Sequence, residues 1–515
     1  MSREPHVEVE LVEGAPSDAL GPPPDADGAS VEGARAPRPR RAGRPSWLRP
    51  RTLVAGVLVV VAGLAGTQAV LDARERAADA RFADVPGVVA PLSPDLGVLW
   101  RPRPEQMDVL WSGLQEAGGL GVGARFDESG APSAVALDPR TGDIVWSVPL
   151  GDADPVLADT LILPRVPCDV SDGLLVCLVG SAYGPATPRE GSVEGDEPAP
   201  VPGRAELVVL DASDGAVVRR APEEVGTTLL ALGDVVVTAR VEPDASIAVR
   251  TLDARSGDEA WTHTTPPGTA TPSDAELGGD GAPAVTPVGD AVLVHAGDGG
   301  VRLAADGTVE ATYAPVTDGD EDAALTVARG HVLRHSDGRG AGELLADDGT
   351  STALPAGSPH QLSVDDGTEP DLLLLPSRSG DGLDGWDART SRLRWSRPDV
   401  PYSGAAMLDG TLYVANAGGA VALDPADGTT RWRSEAPPAG SSLAVSSTVS
   451  LLTDGRVLGV VGQRVSGPPV VLAFTLSDGR LAWTAELPGD VQSVLVAGRV
   501  VIGWGRGAPE RAVLG

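Results

Sequence analysis

The chain contains no lysine, and its 40 basic side chains, all arginine, stand against 72 aspartates and glutamates, for a formal charge of −32. A field of that sign repels a phosphate backbone, so nucleic acid is set aside as a partner, and the excess charge reads as a solubility device. Aromatic residues make up 3% of the 515 positions, with 10 Trp, 4 Tyr and 3 Phe, and there are only 3 Met. The core must therefore be built from Val, Leu and Ala. With 65 Gly and 46 Pro, those residues fall on short strands separated by turns. Such a composition belongs to an all-β repeat array, which can use several hundred residues as one unit. The only cysteines are Cys168 and Cys177, too few for a disulfide framework. No Gly-Xaa-Ser-Xaa-Gly nucleophile elbow and no phosphate-binding glycine loop occurs, which sets aside the common hydrolase and nucleotide chemistries.

One long apolar run is present. Leu53–Leu71 holds 19 residues without a charge, about the length a bilayer core requires, and predicts a transmembrane helix over 52–71. Arg35, Arg38, Arg40, Arg41, Arg44, Arg49 and Arg51 precede it, whereas Asp72 and Glu75 mix with Arg74 and Arg76 after it. This bias places the N-terminus in the cytoplasm and everything after Leu71 outside, so a single-pass protein of the cell membrane is expected. The competing reading is a cleaved signal peptide ending near Ala65 and Thr67. Its charged region would far exceed the usual ~15–30 residues of a whole signal, so an uncleaved anchor is preferred. Residues 1–51 carry runs such as Gly21-Pro22-Pro23-Pro24 and Arg38-Pro39-Arg40-Arg41 with no apolar periodicity, and predict a disordered cytoplasmic tail. Residues 72–95 read as a stalk or linker. In the extracytoplasmic part, Ser171-Asp172-Gly173 reads as a hairpin turn that sets Cys168 across from Cys177, and a disulfide is the natural state there. Two reduced, buried thiols are the alternative.

Self-similarity is the strongest signal. Asp138, Gly142 and Trp146 recur in register as Asp253, Gly257 and Trp261, and again as Asp424, Gly428 and Trp432. Degenerate copies keep the spacing: Asp211 and Gly215 with Arg219 in the Trp position, Asp387 and Trp395 with Ser391 in the Gly position, and Gly479 and Trp483 with Thr475 in the Asp position. Two shortened copies end in Asp306-Gly307 and Asp348-Gly349. Asp can accept hydrogen bonds from turn amides, Gly supplies positive φ, and Trp is an apolar peg on the next strand. Two further strand-like runs separate successive signatures, so one unit is a four-stranded antiparallel sheet. Such a sheet has two apolar faces and must stack radially on like units. The unit length near 40 residues fits a propeller blade. A β-propeller over 96–515 is therefore expected, with a Pro-rich insertion at 183–203. There are eight whole units, and pairing of Val98-Leu99-Trp100 with strands in Val494–Trp504 would add a ninth sheet. Eight blades are expected, within a range of seven to nine.

With Ala-Leu-Asp, a Thr-Gly turn and Trp in its units, the chain resembles the quinoprotein-like (PQQ-repeat) β-propellers of the membrane-anchored bacterial type over most of Val98–Leu514. For enzymes of that class, the resemblance implies a dehydrogenase that uses pyrroloquinoline quinone with calcium, a catalytic Asp, and a disulfide between adjacent cysteines. No adjacent cysteines and no matching Asp, Glu and Asn set occur here. No enzyme, cofactor, catalytic residue or metal site is therefore expected, and the quinone-dependent dehydrogenase is the alternative. The acidic run Asp318–Asp322 and the turns at Asp211 and Asp424 lack the alternating oxygens of a calcium loop. His331 and His335 lack a third ligand, and Trp386 reads as packing. What is left is a non-enzymatic scaffold, tethered to the cytoplasmic membrane, for an envelope protein or polymer. Assembly-factor lipoproteins of outer membranes use this fold so, but they carry a lipid-attachment cysteine that is not found near the start of this chain. A transmembrane sensor is a further alternative, although the tail has no kinase or helix-turn-helix pattern. Oligomeric state is not legible.

Overall fold

The computed structural model describes residues 81–515 apart from 83–84, 104–105, 108, 111–113, 128, 153–165, 181–204, 271–281, 317–322, 337–341, 356–357, 378–381, 417–418, 435–442, 445–450, 465–466 and 506–510. The chain divides into Met1–Val70 and Leu71–Gly515. The expected tail (1–51), the apolar segment (52–71) and the insertion (183–203) lie outside the described residues. Among the described residues no helix is long and apolar enough to cross a membrane.

The described part of Leu71–Gly515 is a ring of nine sheets. The first blade runs Gln115–Ala117, Leu120–Phe126, Pro132–Leu137 and Ile144–Pro149, paired in that order and antiparallel throughout. Seven further blades follow in chain order over 168–223, 228–264, 284–313, 323–353, 372–397, 404–433 and 443–486. The ninth joins the chain ends: Val98–Trp100 lies beside Arg511–Leu514, then Val500–Gly505 and Val491–Ala497. Val98 faces Leu514 and Trp100 faces Val513, and Gly97 and Gly515 exchange backbone hydrogen bonds. The eight units of the sequence are thus all present, and the shared sheet makes nine blades, within the expected seven to nine and one more than the favoured eight.

Strand position decides residue type. The two middle strands of a blade are covered on both faces and read as unbroken apolar runs, as in Leu174–Val179, where five of six residues are buried. The outer strand has one face to solvent and alternates, as in Ile144–Pro149. Nine apolar clusters result, each shared by two consecutive blades. The last of them joins Ile502 of the ninth blade to Val135 and Leu137 of the first. The core is therefore annular, and no blade owns a core alone.

The sixth blade departs from the pattern. It has three strands, Leu372–Pro376, Leu383–Asp387 and Arg392–Arg397, and the chain that would supply its innermost strand pairs elsewhere. Val364–Asp365 runs parallel to Gly404–Leu408, the innermost strand of the seventh blade. His360 N–H still donates to Leu374 O at 2.7 Å, and two residues after Gln361 the Ser363 N–H donates to Ala405 O at 2.8 Å. The chain therefore crosses from one blade to the next within a few residues.

Candidate functional site

The Asp and Gly of each signature sit at the turn between the third and outer strands, and the Trp lies on the outer strand. Asp138 Oδ1 accepts from the Arg140 and Thr141 amides at 2.7 and 3.3 Å, and Asp253 Oδ1 accepts from Arg255 and Ser256 at 3.0 and 2.6 Å. The Gly142, Gly215, Gly257 and Gly428 amides return to the carbonyls of Asp138, Asp211, Asp253 and Asp424, and Gly479 returns to Thr475. Hydrogen bonds hold these carboxyls below the usual range: the Ser213 hydroxyl at Asp211, the Ser256 amide at Asp253 and the Arg431 guanidinium at Asp424. At Asp387 burial pushes the carboxyl up, but hydrogen bonds from Thr390 and Arg394 outweigh it and the net shift is downward. Carboxylates engaged in this way have few lone pairs left for a ligand.

The tryptophans do not gather in one place. Four of the five repeat tryptophans dock on the turn of the next blade. Trp146 Nε1 donates to Ala212 O at 3.2 Å, Trp261 to Ala305 O at 2.8 Å, Trp395 to Pro425 O at 2.9 Å and Trp432 to Leu476 O at 2.8 Å. The indole lies flat on the turn glycine. A Cβ at Gly215 would stand 2.8 Å from the Trp146 ring, and one at Gly428 would stand 2.8 Å from Trp395. The turn glycine is thus required twice, for its positive φ and for the space above it. Arg219 takes the same seat over Gly257, and burial pulls its guanidinium below its ordinary value. Trp483 packs at the edge of the cluster between the eighth and ninth blades. Trp100, which the repeat pattern does not single out, completes the series by docking on Gly142 and donating to Pro139 O at 3.0 Å. Its own turn is missing because its blade is assembled from both chain ends. The only trace of its role in the sequence is a Trp on an orphan strand.

Cys168 and Cys177 face each other on paired strands and form a disulfide, with Cα atoms 4.1 Å apart. His331 Nε2 lies 3.3 Å from an Asp371 carboxylate oxygen, and Trp386 packs beside the cluster shared by the fifth and sixth blades. Among the described residues no group of three or more His, Cys, Asp or Glu side chains could hold a metal ion. The run Asp318–Asp322 lies outside them.

The two faces of the ring differ. In an antiparallel blade, the first-to-second and third-to-outer turns share one edge, and the remaining connections share the other. The turn edge is tight, with two-residue hairpins such as Asp172-Gly173 and Asp409-Gly410, both at positive φ. The opposite edge is where the strands joined by the longer connections end and begin, as at Pro149 and Cys168, Val179 and Ala205, and Thr264 and Ala284. Residues 82–96 pack along the turn edge: Val89 N–H donates to Thr453 O at 2.9 Å, Ala90 N–H to Arg499 O at 3.0 Å, and Leu92 N–H to the Asp454 carboxylate at 2.9 Å. Phe82 and Val88 are buried in the cluster between the seventh and eighth blades, and Val89 and Leu96 in the next. The described end of the segment read as a stalk is therefore built into the ring.

A family model described as outer membrane protein assembly factor BamB matches residues 130–368 and 416–505. The chain belongs to that family. The gap in the match, 369–415, contains the three-stranded blade of this BamB-family chain. Among solved structures, it is similar to BamB from Moraxella catarrhalis at 17% identity, covering 81% of this chain and 97% of that one, with a TM-score of 0.34. A europium-containing methanol dehydrogenase shares 13% identity over 80% of this chain and 86% of its own, with a TM-score of 0.37. A quinohemoprotein alcohol dehydrogenase from Comamonas testosteroni shares 14% over 82% and 76%, also at 0.37. Fold likeness of this kind does not choose between scaffold and enzyme. No curated protein matches the chain in sequence.

Proposed function

We propose that this protein is a non-enzymatic scaffold, anchored in the cytoplasmic membrane by residues 52–71, that binds an envelope protein on the face of the ring carrying the long connections. The observation behind this reading is the packing of residues 82–96 along the turn edge. Residues 82–96 cover part of the turn edge, which leaves the opposite edge, with its connections of variable length, as the face offered to a partner. The family description, an assembly factor, favours a protein over a polymer as partner. Catalysis with pyrroloquinoline quinone and calcium fits the residues poorly. The disulfide joins cysteines nine residues apart, not neighbours, and the recurring carboxylates are engaged in turns.

The test is photo-crosslinking of the full-length protein in its own envelopes. A photoreactive residue at Asp152 or Pro243, exposed on the long-connection edge, is expected to trap the same protein adduct. One at Arg140 or Arg255, exposed on the turn edge, is expected not to. Adducts from the turn edge alone would contradict the reading. So would dye reduction by the purified protein given the quinone, calcium and an alcohol.

A further inference from the structure

The outer turns of the fourth and fifth blades are near copies. Leu303-Ala304-Ala305-Asp306-Gly307-Thr308 and Leu345-Ala346-Asp347-Asp348-Gly349-Thr350 differ at one position. Ala304 N–H donates to Thr308 O at 2.9 Å and Ala346 N–H to Thr350 O at 2.8 Å, while the Gly307 and Gly349 amides return to Ala304 O and Ala346 O. Asp306 Oδ1 and Asp348 Oδ1 accept from the Thr308 and Thr350 amides, both at 2.9 Å. The glycines stand at φ +83° and +79°. What lies over them differs. Trp261 covers Gly307 and donates to Ala305 O, and Gly142, Gly215, Gly428 and Gly479 also lie under indoles, with the Arg219 guanidinium over Gly257. A Cβ at Gly349 would meet, among the described residues, only Thr312 O, at 4.0 Å. Residues 346–350 are all exposed.

Strand register explains the difference. Thr251 pairs with Trp261 and, across a bulge, Leu252 with Glu259; Arg302 pairs with Ala311 and, across the same kind of bulge, Leu303 with Val309. Ala311 therefore stands in the place of the tryptophan. Its methyl is buried with Tyr313 and Leu345 in the cluster shared by the fourth and fifth blades. The core between those blades is thus filled, and only the turn lacks its cover. Arg302 reaches the Asp347 carboxylate at 2.6 Å and stays clear of Gly349. The carbonyl in the place of Ala305 O is Asp347 O, which accepts no hydrogen bond among the described residues. In the other glycine turns of this kind the same surface receives a side chain from the preceding blade. We propose that the outer turn of the fifth blade, Ala346–Thr350, is a docking seat for a tryptophan of a partner protein, with the indole lying on Gly349 and its N–H donating to Asp347 O. An indole is the occupant because the twin turn holds one, and because the exposed acids Asp347 and Asp348 disfavour an acidic side chain. A tryptophan on a preformed seat is a common anchor of protein interfaces. The seat lies on the turn edge, apart from the long-connection face proposed above, so neither test decides the other.

The test is fluorine NMR of N-acetyl-5-fluorotryptophanamide added to the full-length protein in nanodiscs, read as line broadening beyond that given by empty nanodiscs. The expected result is saturable broadening that falls several-fold in Gly349→Ala and is kept in Gly489→Ala, where a Cβ meets nothing. The 1-methylindole analogue, which has no N–H to give to Asp347 O, is expected to need a several-fold higher concentration. Ala311→Trp supplies the cover from the ring itself and is expected to abolish the broadening, which keeps the test decisive if Gly349→Ala does not fold. No broadening with the wild type, or equal broadening in the wild type, Gly349→Ala and Ala311→Trp, would overturn the proposal. So would displacement of the probe by N-acetylargininamide at a lower concentration than by N-acetyltryptophanamide.

Discussion

At the scale of single residues, each member of the repeat has one mechanical duty, and the duties can be measured apart. Gly428 at φ +70° lies under Trp395, whereas Gly489 at φ +52° has nothing near its missing side chain. Gly489→Ala is expected to cost about 1 kcal/mol from backbone strain alone. Gly428→Ala adds displacement of the Trp395 ring and is expected to cost ~3 kcal/mol, read as the difference in denaturant midpoints. His360 makes a second residue-scale prediction. Its folded pKa is lowered by burial from 6.5 to about 4, so between those values the unfolded chain holds more protons than the folded one. Its contribution to stability is complete above pH 6.5 and declines as pH falls toward 4. His360→Phe keeps the stack on Tyr402 and is expected to flatten that part of the stability profile. Equal slopes in the two proteins would contradict it. These duties were legible where sequence and local geometry agree: the Asp, the Gly and the Trp of a turn are close in the chain. The uncovered turn at Gly349 was not singled out, although its signal was present as Ala311 in the place of a Trp.

At the scale of strands and blades, the hairpin Cys168–Ser171 to Leu174–Val179 was readable because Ser171-Asp172-Gly173 sets the register that brings the two cysteines opposite. Replacing both with Ala is expected to lower stability by ~2–3 kcal/mol, the loop-closure contribution of a short ring. The measurement is the denaturant midpoint against the oxidised protein, with reduced wild type matching the variant. The sixth blade shows where sequence reading fails. Residues 359–365 carry the turn and apolar types of an ordinary innermost strand, and nothing local states that Val364–Asp365 will pair with the seventh blade. That choice is tertiary, made by which neighbouring edge is open. Trp100 was hidden for a related reason, since its partner strand Arg511–Leu514 lies at the other end of the chain. Arg219 was visible as a substitution in register, but only the packed blades show it lying over Gly257.

At the scale of the whole molecule, nine apolar clusters alternate with nine blades, so every blade depends on two neighbours and the ring depends on its closure. The count of nine was contained in the sequence as eight whole units plus a split sheet. The expectation of eight followed from the rarity of nine-bladed rings and not from any residue. Closure also serves the proposed role, because a ring sealed at Val98–Trp100 gives the long connections a rigid base. The most direct test combines Val98→Cys with Leu514→Cys, at positions that face each other in the closing sheet, in a chain whose Cys168–Cys177 bond is intact. Paired strand positions lie within disulfide reach. The expected result is an intramolecular bond between the two introduced thiols in the folded monomer, seen as a peptide joining both chain ends after proteolysis. Free thiols at both positions, or bonds formed only between molecules, would contradict the closed ring.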